Sequence, residues 1–368
     1  MASTVGTTTS SSAQSFGRNT FFAVGRYWVF YYVGDTGTYW SYRSSVDGIT
    51  WSDVAATGFS NYNHLGVWFD GTYVHLCATF GGTGGVLAYR RGLLNSNGTI
   101  TWNDAVYILT STTCYHGNVC VDSAGYPWVT YQTGYGSSWG IYAKKSSTKD
   151  GTFSVATTQT LQDGLNANFY CQPIPLTNQR ILFAWMNTVY GGTPIYLRTW
   201  NGSSLNALVT GSTNVAVSNT PPSTCPVGDD AHVVFQDTSG NVKYQYFDYS
   251  DNALGGETTI VATLTKNVLP VICKKSDTLL YCFWRNIDTD HMYYSKYQNS
   301  AWSSATDWID ESTDDFPTTF TQNCFYKVNY RRIGMAYITK TGSPYNIRFD
   351  FLKIKSPTPV AIREGYKD

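Results

Sequence analysis

The chain has 368 residues, with 25 lysines and arginines against 25 aspartates and glutamates, and a charged fraction of only 14%, well below the roughly 25% of ordinary soluble domains. Tyrosine (29), phenylalanine (18), tryptophan (12) and glycine (33) fill the difference, a composition that suits pleated strands and tight turns rather than long helices. Zero net charge without a basic run argues against electrostatic capture of nucleic acid, and no segment reaches the ~18 apolar residues of a membrane-spanning helix.

In chain order, residues 1–16 (MASTVGTTTSSSAQSF) read as a Ser/Thr-rich arm outside the folded repeats, with neither the basic nor the apolar region of a secretion signal. An arm of this kind is ordered only when it docks, either on its own domain or on an assembly partner. Residues 17–356 then carry one recurring unit: a short apolar strand, a turn, a stronger apolar strand, a Gly-rich loop, a Tyr-rich alternating strand, and a turn ending in an aromatic. The clearest copies are 26–51, 72–102 and 126–153, and four weaker ones follow. The second strands of the copies begin near Tyr27, Tyr73, Trp128, Ile181, Val233, Leu279 and Ile333, at spacings of 46, 55, 53, 52, 46 and 54 residues. Seven copies at about 50 residues, each able to form a four-stranded antiparallel sheet, predict an all-β, seven-bladed β-propeller, one domain closed on itself. Residues 357–368 read as a C-terminal tail.

The chain holds eight cysteines. Cys77, Cys120, Cys171, Cys273, Cys282 and Cys324 lie in or beside apolar strand-like runs and read as reduced core residues. Cys114 and Cys120 are spaced to bridge across a bend, and no Cys/His spacing suggests structural zinc. Core thiols without a signal point to synthesis in a reducing cytosol.

The segment Ser45-Val46-Asp47-Gly48-Ile49-Thr50-Trp51 resembles the Asp-box of sialidase-like (BNR-repeat) propellers, one residue shorter than the usual Ser-x-Asp-x-Gly-x-Thr-Trp. Asn95–Trp102 and Thr148–Phe153 look like degenerate copies. In such a turn the Asp or Asn side chain binds the turn's own amides and Gly takes positive φ, so Asp47, Asn97 and Asp150 read as structural. The resemblance implies that these turns join third and fourth strands on the face opposite the binding site.

Function is therefore expected at the other face, where inner strands begin and second-to-third loops emerge around the central channel. Aligning the copies on the turns at Asp70 and Asp122 places His64 and His116 at equivalent points of adjacent blades, each six residues before the aspartate, with Tyr170 near the corresponding point of the next blade. Asn63, Tyr115, Asn118 and Phe169 flank this arc, and Arg18 and Arg285 are placed to point in from elsewhere on the face. Loops of the same face carry Tyr39, Trp40, Tyr135, Trp139, Tyr190 and Tyr345 beside Gly and Ser, a mixture suited to stacking on sugar rings, although part of this set is expected to pack between blades.

Two functions fit. One is recognition of a polysaccharide or surface glycan by a virion (phage tail or adhesin type) or cell-surface protein, with Asn63, Tyr115, Asn118, Tyr135, Trp139 and Tyr190 as binding residues. The other is a carbohydrate-active enzyme, a polysaccharide lyase or glycosidase, with His64, His116, Tyr170, Arg18 and Arg285 as catalytic set. There a neutral His takes a proton, Tyr supplies or accepts another, and Arg neutralises a uronate, an arrangement that resembles the seven-bladed ulvan lyases. The alternative for the histidines is a structural role, bonding neighbouring blades. A sialidase proper would need an arginine triad and an Arg-Ile-Pro opening; Phe16-Gly17-Arg18-Asn19 stands in its place. Asp288 and Asp290, with Asp35 or Asp237, read as solvated turn carboxylates, and His75, His232 and His291 as structural. No motif calls for a cofactor or metal, and neither nucleic acid nor membrane insertion is expected.

Overall fold

In this computed structural model the described residues are 2–9, 18–34, 39–60, 64–80, 85–109, 113–135, 138–153, 158–165, 169–187, 193–215, 222–262, 267–286, 288–311, 323–324, 331–339 and 343–354. They contain strands, turns and bends and no helix. The strands form seven separate antiparallel sheets, each following chain order from the inner to the outer strand, with one exception at the seventh. The chain is a seven-bladed β-propeller. In blades 2, 5 and 6 the outermost strand is split into two short segments that pair with the same third strand.

The second strands explain the architecture. Arg26–Val33, Leu279–Asn286 and Arg332–Thr339 are buried almost without alternation, because a blade has a neighbour against each of its two faces. Outer strands such as Val209–Asn214 instead alternate half-buried and exposed residues, as expected at the solvent rim. Each apolar cluster fills the seam between neighbours: Trp28 and Phe30 meet Leu65 and Leu76 between blades 1 and 2, and Val233 and Phe235 meet Leu182 and Ala184 between blades 4 and 5. The second strands begin at Arg26, Tyr73, Pro127, Ile181, Asp230, Leu279 and Arg332, within three residues of every position expected from the repeats.

The exception closes the ring. Blade 7 consists of Asn323–Cys324, Arg332–Thr339 and Tyr345–Lys353, and its outermost strand is Ser3–Thr8, paired antiparallel with Tyr345–Lys353 from Ser3 opposite Phe349 to Thr8 opposite Tyr345. The reading of residues 1–16 as an arm outside the repeats is thus corrected for residues 3–8; residues 10–16 and 357–368 lie outside the described residues. Val5 is fully buried, among Tyr27, Tyr31, Phe283, Met335 and Phe349, so this strand seals the seam joining blades 6, 7 and 1. Ser3 Oγ donates to Gly48 O (2.7 Å) and accepts from Trp51 Nε1 (3.0 Å), which fastens the terminal strand to the first third-to-fourth turn.

That turn is built by its own side chains. Asp47 Oδ1 accepts from the amides of Ile49 (2.7 Å) and Thr50 (2.8 Å), and these bonds lower the carboxyl to a pKa of about 2. Gly48 has a φ of 77°, a left-handed conformation that costs a glycine little. Asn97 Oδ1 repeats the pattern on the Thr99 amide (3.0 Å). Asp150 departs from it: Thr148 Oγ1 accepts the Thr152 amide (3.1 Å), and Asp150 Oδ1 instead pairs with Arg91 (2.7 Å).

Cys77, Cys114, Cys120, Cys171, Cys225, Cys273 and Cys282 are buried, and the Cys114–Cys120 bridge allowed by spacing is not made. His75 and His232 occupy equivalent places in blades 2 and 5 and each bonds a third-strand tyrosine, Tyr89 (2.6 Å) and Tyr244 (2.7 Å). Val5→Asp, which buries an unpaired charge in the closing seam, is expected to cost about 3 kcal/mol of stability in urea unfolding. An unchanged midpoint would mean that residues 3–8 do not close the ring.

Candidate functional site at the channel rim

In an antiparallel blade that runs from inside outward, the start of the inner strand and the second-to-third hairpin share one end, and the third-to-fourth turn lies at the other. His64 opens the inner strand of blade 2, His64–Phe69. His116 and Tyr170 stand near the starts of the inner strands of blades 3 and 4, Cys114–Val121 and Phe169–Pro175.

The structure brings these three together. His116 Nδ1 lies 3.2 Å from His64 Nε2, and the two rings sit 4.3 Å apart, edge to face. The Tyr170 ring centroid is 3.7 Å from that of His116 and 5.9 Å from that of His64.

Two local devices produce this contact. The inner strand of blade 3 approaches blade 2 closely because glycines stand where they touch: a Cβ on Gly66 of the blade 2 inner strand would lie 2.6 Å from the Asn118 Cα, and one on Gly117 2.8 Å from Thr79 Cγ2 on the second strand of blade 2. The ladder between the first and second strands of blade 3 also shifts between Tyr115 and Asn118, so that His116 and Gly117 form a bulge, and His116 adopts a φ of 57°. Left-handed backbone at a non-glycine residue is uncommon and costs of order 1 kcal/mol, and a bulge re-aims a side chain. Here the re-aimed ring is the one that touches both partners.

Burial fixes the protonation of the cluster. Desolvation pushes the His64 pKa down to about 4, and desolvation with the neighbouring His64 pushes His116 well below the ordinary histidine value. Desolvation raises the Tyr170 hydroxyl well above the ordinary tyrosine value. At neutral pH the three groups are therefore uncharged, and His116 and Tyr170 are almost wholly covered.

The arc continues outward. Tyr115 is half-buried, 5.9 Å from His116, and Trp139 at the second-to-third hairpin of blade 3 lies 5.6 Å from Tyr115. Asn118 is buried and turns its Oδ1 to the Val119 amide (2.9 Å). Asn63 and Tyr190, and the side chains of Tyr135 and Phe169, lie outside the described residues.

The two arginines lie in different settings. Arg18 is buried, and its Nη2 donates to Ser223 Oγ (3.0 Å) and Thr224 O (2.8 Å), so the residue preceding blade 1 reaches the inner strand of blade 5. Arg285 is buried at the end of the second strand of blade 6, where desolvation lowers its pKa to about 9. Trp40 is also a core residue, edge-on to Tyr32 at 5.5 Å, while Tyr39 and Tyr345 are half-buried. Asp237 accepts from the amides of Ser239 and Asn241 (2.9 Å each), as a turn residue does. Asp35 lies outside the described residues. His291, on the third strand of blade 6, bonds Asp307 (2.6 Å) and Asp310 (3.3 Å), both on its fourth strand. Among the described residues no group of histidine, cysteine and carboxylate ligands is arranged to hold a metal.

One polar residue of this face escaped the sequence reading. Asn19 is fully buried just before the inner strand of blade 1, and its amide nitrogen and oxygen have no hydrogen-bond partner among the described residues. Its only sequence signal was its place before an inner strand, equivalent to that of Asn63.

No protein-family model matches the chain, and no curated protein matches it. Solved structures do. The chain is similar to the BP39L lectin from Burkholderia pseudomallei at 10% identity and a TM-score of 0.62, over 94% of this chain and 96% of that one. It is similar to a PL25 ulvan lyase at 10% identity and a TM-score of 0.58, over 94% of each chain. It also resembles the phage phi92 endosialidase at 11% identity and a TM-score of 0.53, over 100% of this chain and 71% of the other. At these identities what is shared is the propeller fold.

Gly66→Ala forces a methyl group against the backbone of the neighbouring blade, and we expect it to destabilise the protein by about 2 kcal/mol in urea unfolding. Wild-type stability in this variant would show that the close approach of blades 2 and 3 is not needed.

Proposed function

We propose that this chain is a glycan-recognising β-propeller, displayed on a virion or cell surface, whose contact surface is the channel rim of blades 2 to 4. The observation that carries the reading is the half-buried Tyr115–Trp139 pair, supported from below by the neutral His64–His116–Tyr170 cluster. A pair of aromatic rings with uncharged hydrogen-bonding groups beside it suits a saccharide, which offers apolar ring faces and hydroxyls together. Structural likeness to a lectin, a polysaccharide lyase and an endosialidase is compatible with that chemistry. In this reading the turn at Ser45–Trp51 is a shortened Asp-box, with Asp47 in the bonding role the motif assigns to its aspartate.

Recognition is favoured over catalysis by the state of the cluster. A general acid–base pair works best with pKa values near the working pH, whereas here burial drives the histidines down and the tyrosine up. Groups so covered are suited to holding the rim in place.

The contacts among His64, His116 and Tyr170 support a second reading, a lyase acting on uronate-containing polysaccharide. An imidazole would take the proton α to the carboxylate, and the tyrosine hydroxyl would protonate the departing glycosidic oxygen as the double bond forms. A panel of acidic and neutral polysaccharides, followed for binding and for the ultraviolet absorbance of unsaturated uronates, separates the two. We expect binding without product, and a loss of about tenfold in affinity for Trp139→Ala. Product that disappears in His64→Ala and His116→Ala would establish the lyase instead. Undiminished binding by Trp139→Ala would remove the rim from the account.

A further inference from the structure

We infer that the opposite mouth of the channel is a second ligand site, selective for an anionic saccharide. A cavity of about 720 Å³ opens there, within the size range of small-molecule sites. The first-to-second turns of blades 2, 3, 4 and 5 contribute to it, and it is therefore separated from the rim by the length of the inner strands. The inference does not depend on the rim reading.

Its walls combine apolar surface from Trp68, Phe69 and Leu176 with the cations Arg91, Lys149 and Lys274. The two carboxylates of the lining are already engaged. Asp70 accepts from the amides of Thr72 (2.8 Å) and Tyr73 (2.7 Å) and contacts His75 Nε2 (2.8 Å). Asp122 accepts from the amides of Ala124 (3.0 Å) and Tyr126 (2.9 Å) and from Trp128 Nε1 (3.2 Å), and pairs with Lys145 (3.1 Å).

The cations are less fully engaged. Lys149 makes no ion pair with a described residue and lies 5.9 Å from the Tyr126 ring, and Lys274 pairs with Asp277 (2.9 Å), which is 64% exposed, and donates to Pro226 O (2.7 Å). Arg91 pairs with Asp150, 75% exposed, donates to Lys149 O (3.2 Å) and lies 4.2 Å over the Tyr73 ring. The Arg91 Nε is buried without a hydrogen-bond partner among the described residues. Ion pairs with such exposed carboxylates are weak, and an incoming anion can replace them. The Thr177 hydroxyl of the lining already donates to Asp229, but Thr72 and Ser123, whose Oγ accepts the Gln179 amide (2.7 Å), also bring hydroxyls to it, which favours a polyhydroxylated anion, a sugar bearing carboxylate or sulfate, over a purely apolar acid.

Calorimetric titration of the whole protein with a chondroitin sulfate disaccharide at low ionic strength, with maltose as the neutral control, tests this. We expect the sulfated disaccharide to bind at least about tenfold more tightly than maltose, and the double variant Lys149→Glu/Lys274→Glu to lose about tenfold or more. The milder Lys149→Gln/Lys274→Gln should lose affinity in the same direction, which guards against a folding defect in the first. Trp139→Ala should bind the disaccharide as the wild type does. No binding by the wild type, equal affinity for maltose, or full binding by both lysine variants would overturn the inference. Loss in Trp139→Ala alone would also overturn it, by moving the anion to the rim.

Discussion

The pairing of Ser3–Thr8 with Tyr345–Lys353 is the constraint on which the rest depends. The second strands are buried on both faces along most of their described length, so a blade is stable only with a neighbour on each side, and a row of such blades has two unsatisfied ends. Joining the first residues of the chain to the last blade removes both ends together. Val5 then completes the apolar seam, and Ser3 ties that strand to the turn of blade 1. Closure holds the inner strands around one channel, and only a closed ring can set His64, His116 and Tyr170 of three successive blades against one another. The two functional surfaces proposed here are the two ends of that channel, and the ring is what keeps them apart.

At the rim, stability has been exchanged for position. A bulge with a left-handed histidine, two glycines where neighbouring blades approach closely, and two imidazoles held uncharged are each locally unfavourable. Their combined effect is to hold an aromatic pair on a rigid base rather than on a loose loop. The neutral histidines also link folding to pH. Their folded pKa values lie below the unfolded value near 6.5, so their contribution is fully present above that value. It is lost as pH falls from about 6.5 towards 4, at up to about 1.4 kcal/mol per pH unit for each imidazole.

Much of the fold was legible because the repeats restate one physical problem: an apolar second strand needs covering on both faces, and its period counts the blades. The equivalence of His64 and His116 could be read for the same reason, since both stand a fixed distance before a turn aspartate. The terminal strand was not legible. Ser3–Thr8 buries Val5 and Thr8 while the rest of it looks like a polar tail, and its partner lies more than three hundred residues away. Arg18 reaching blade 5 and Asp150 serving Arg91 instead of its own turn are likewise long-range choices that leave no local pattern. The cavity at the far mouth had no linear signal either, because several blades each give it only a few residues.

The most direct test of the central claim, a rim built on a buried and uncharged cluster, is a nuclear magnetic resonance titration of the His64 and His116 imidazoles in the intact protein. The account predicts that His64 stays neutral down to about pH 4 and that His116 remains neutral at still lower pH. Midpoints near the ordinary value of 6.5 for both rings would contradict it, since the two histidines would then be solvated, separate, and no base for the aromatic pair above them.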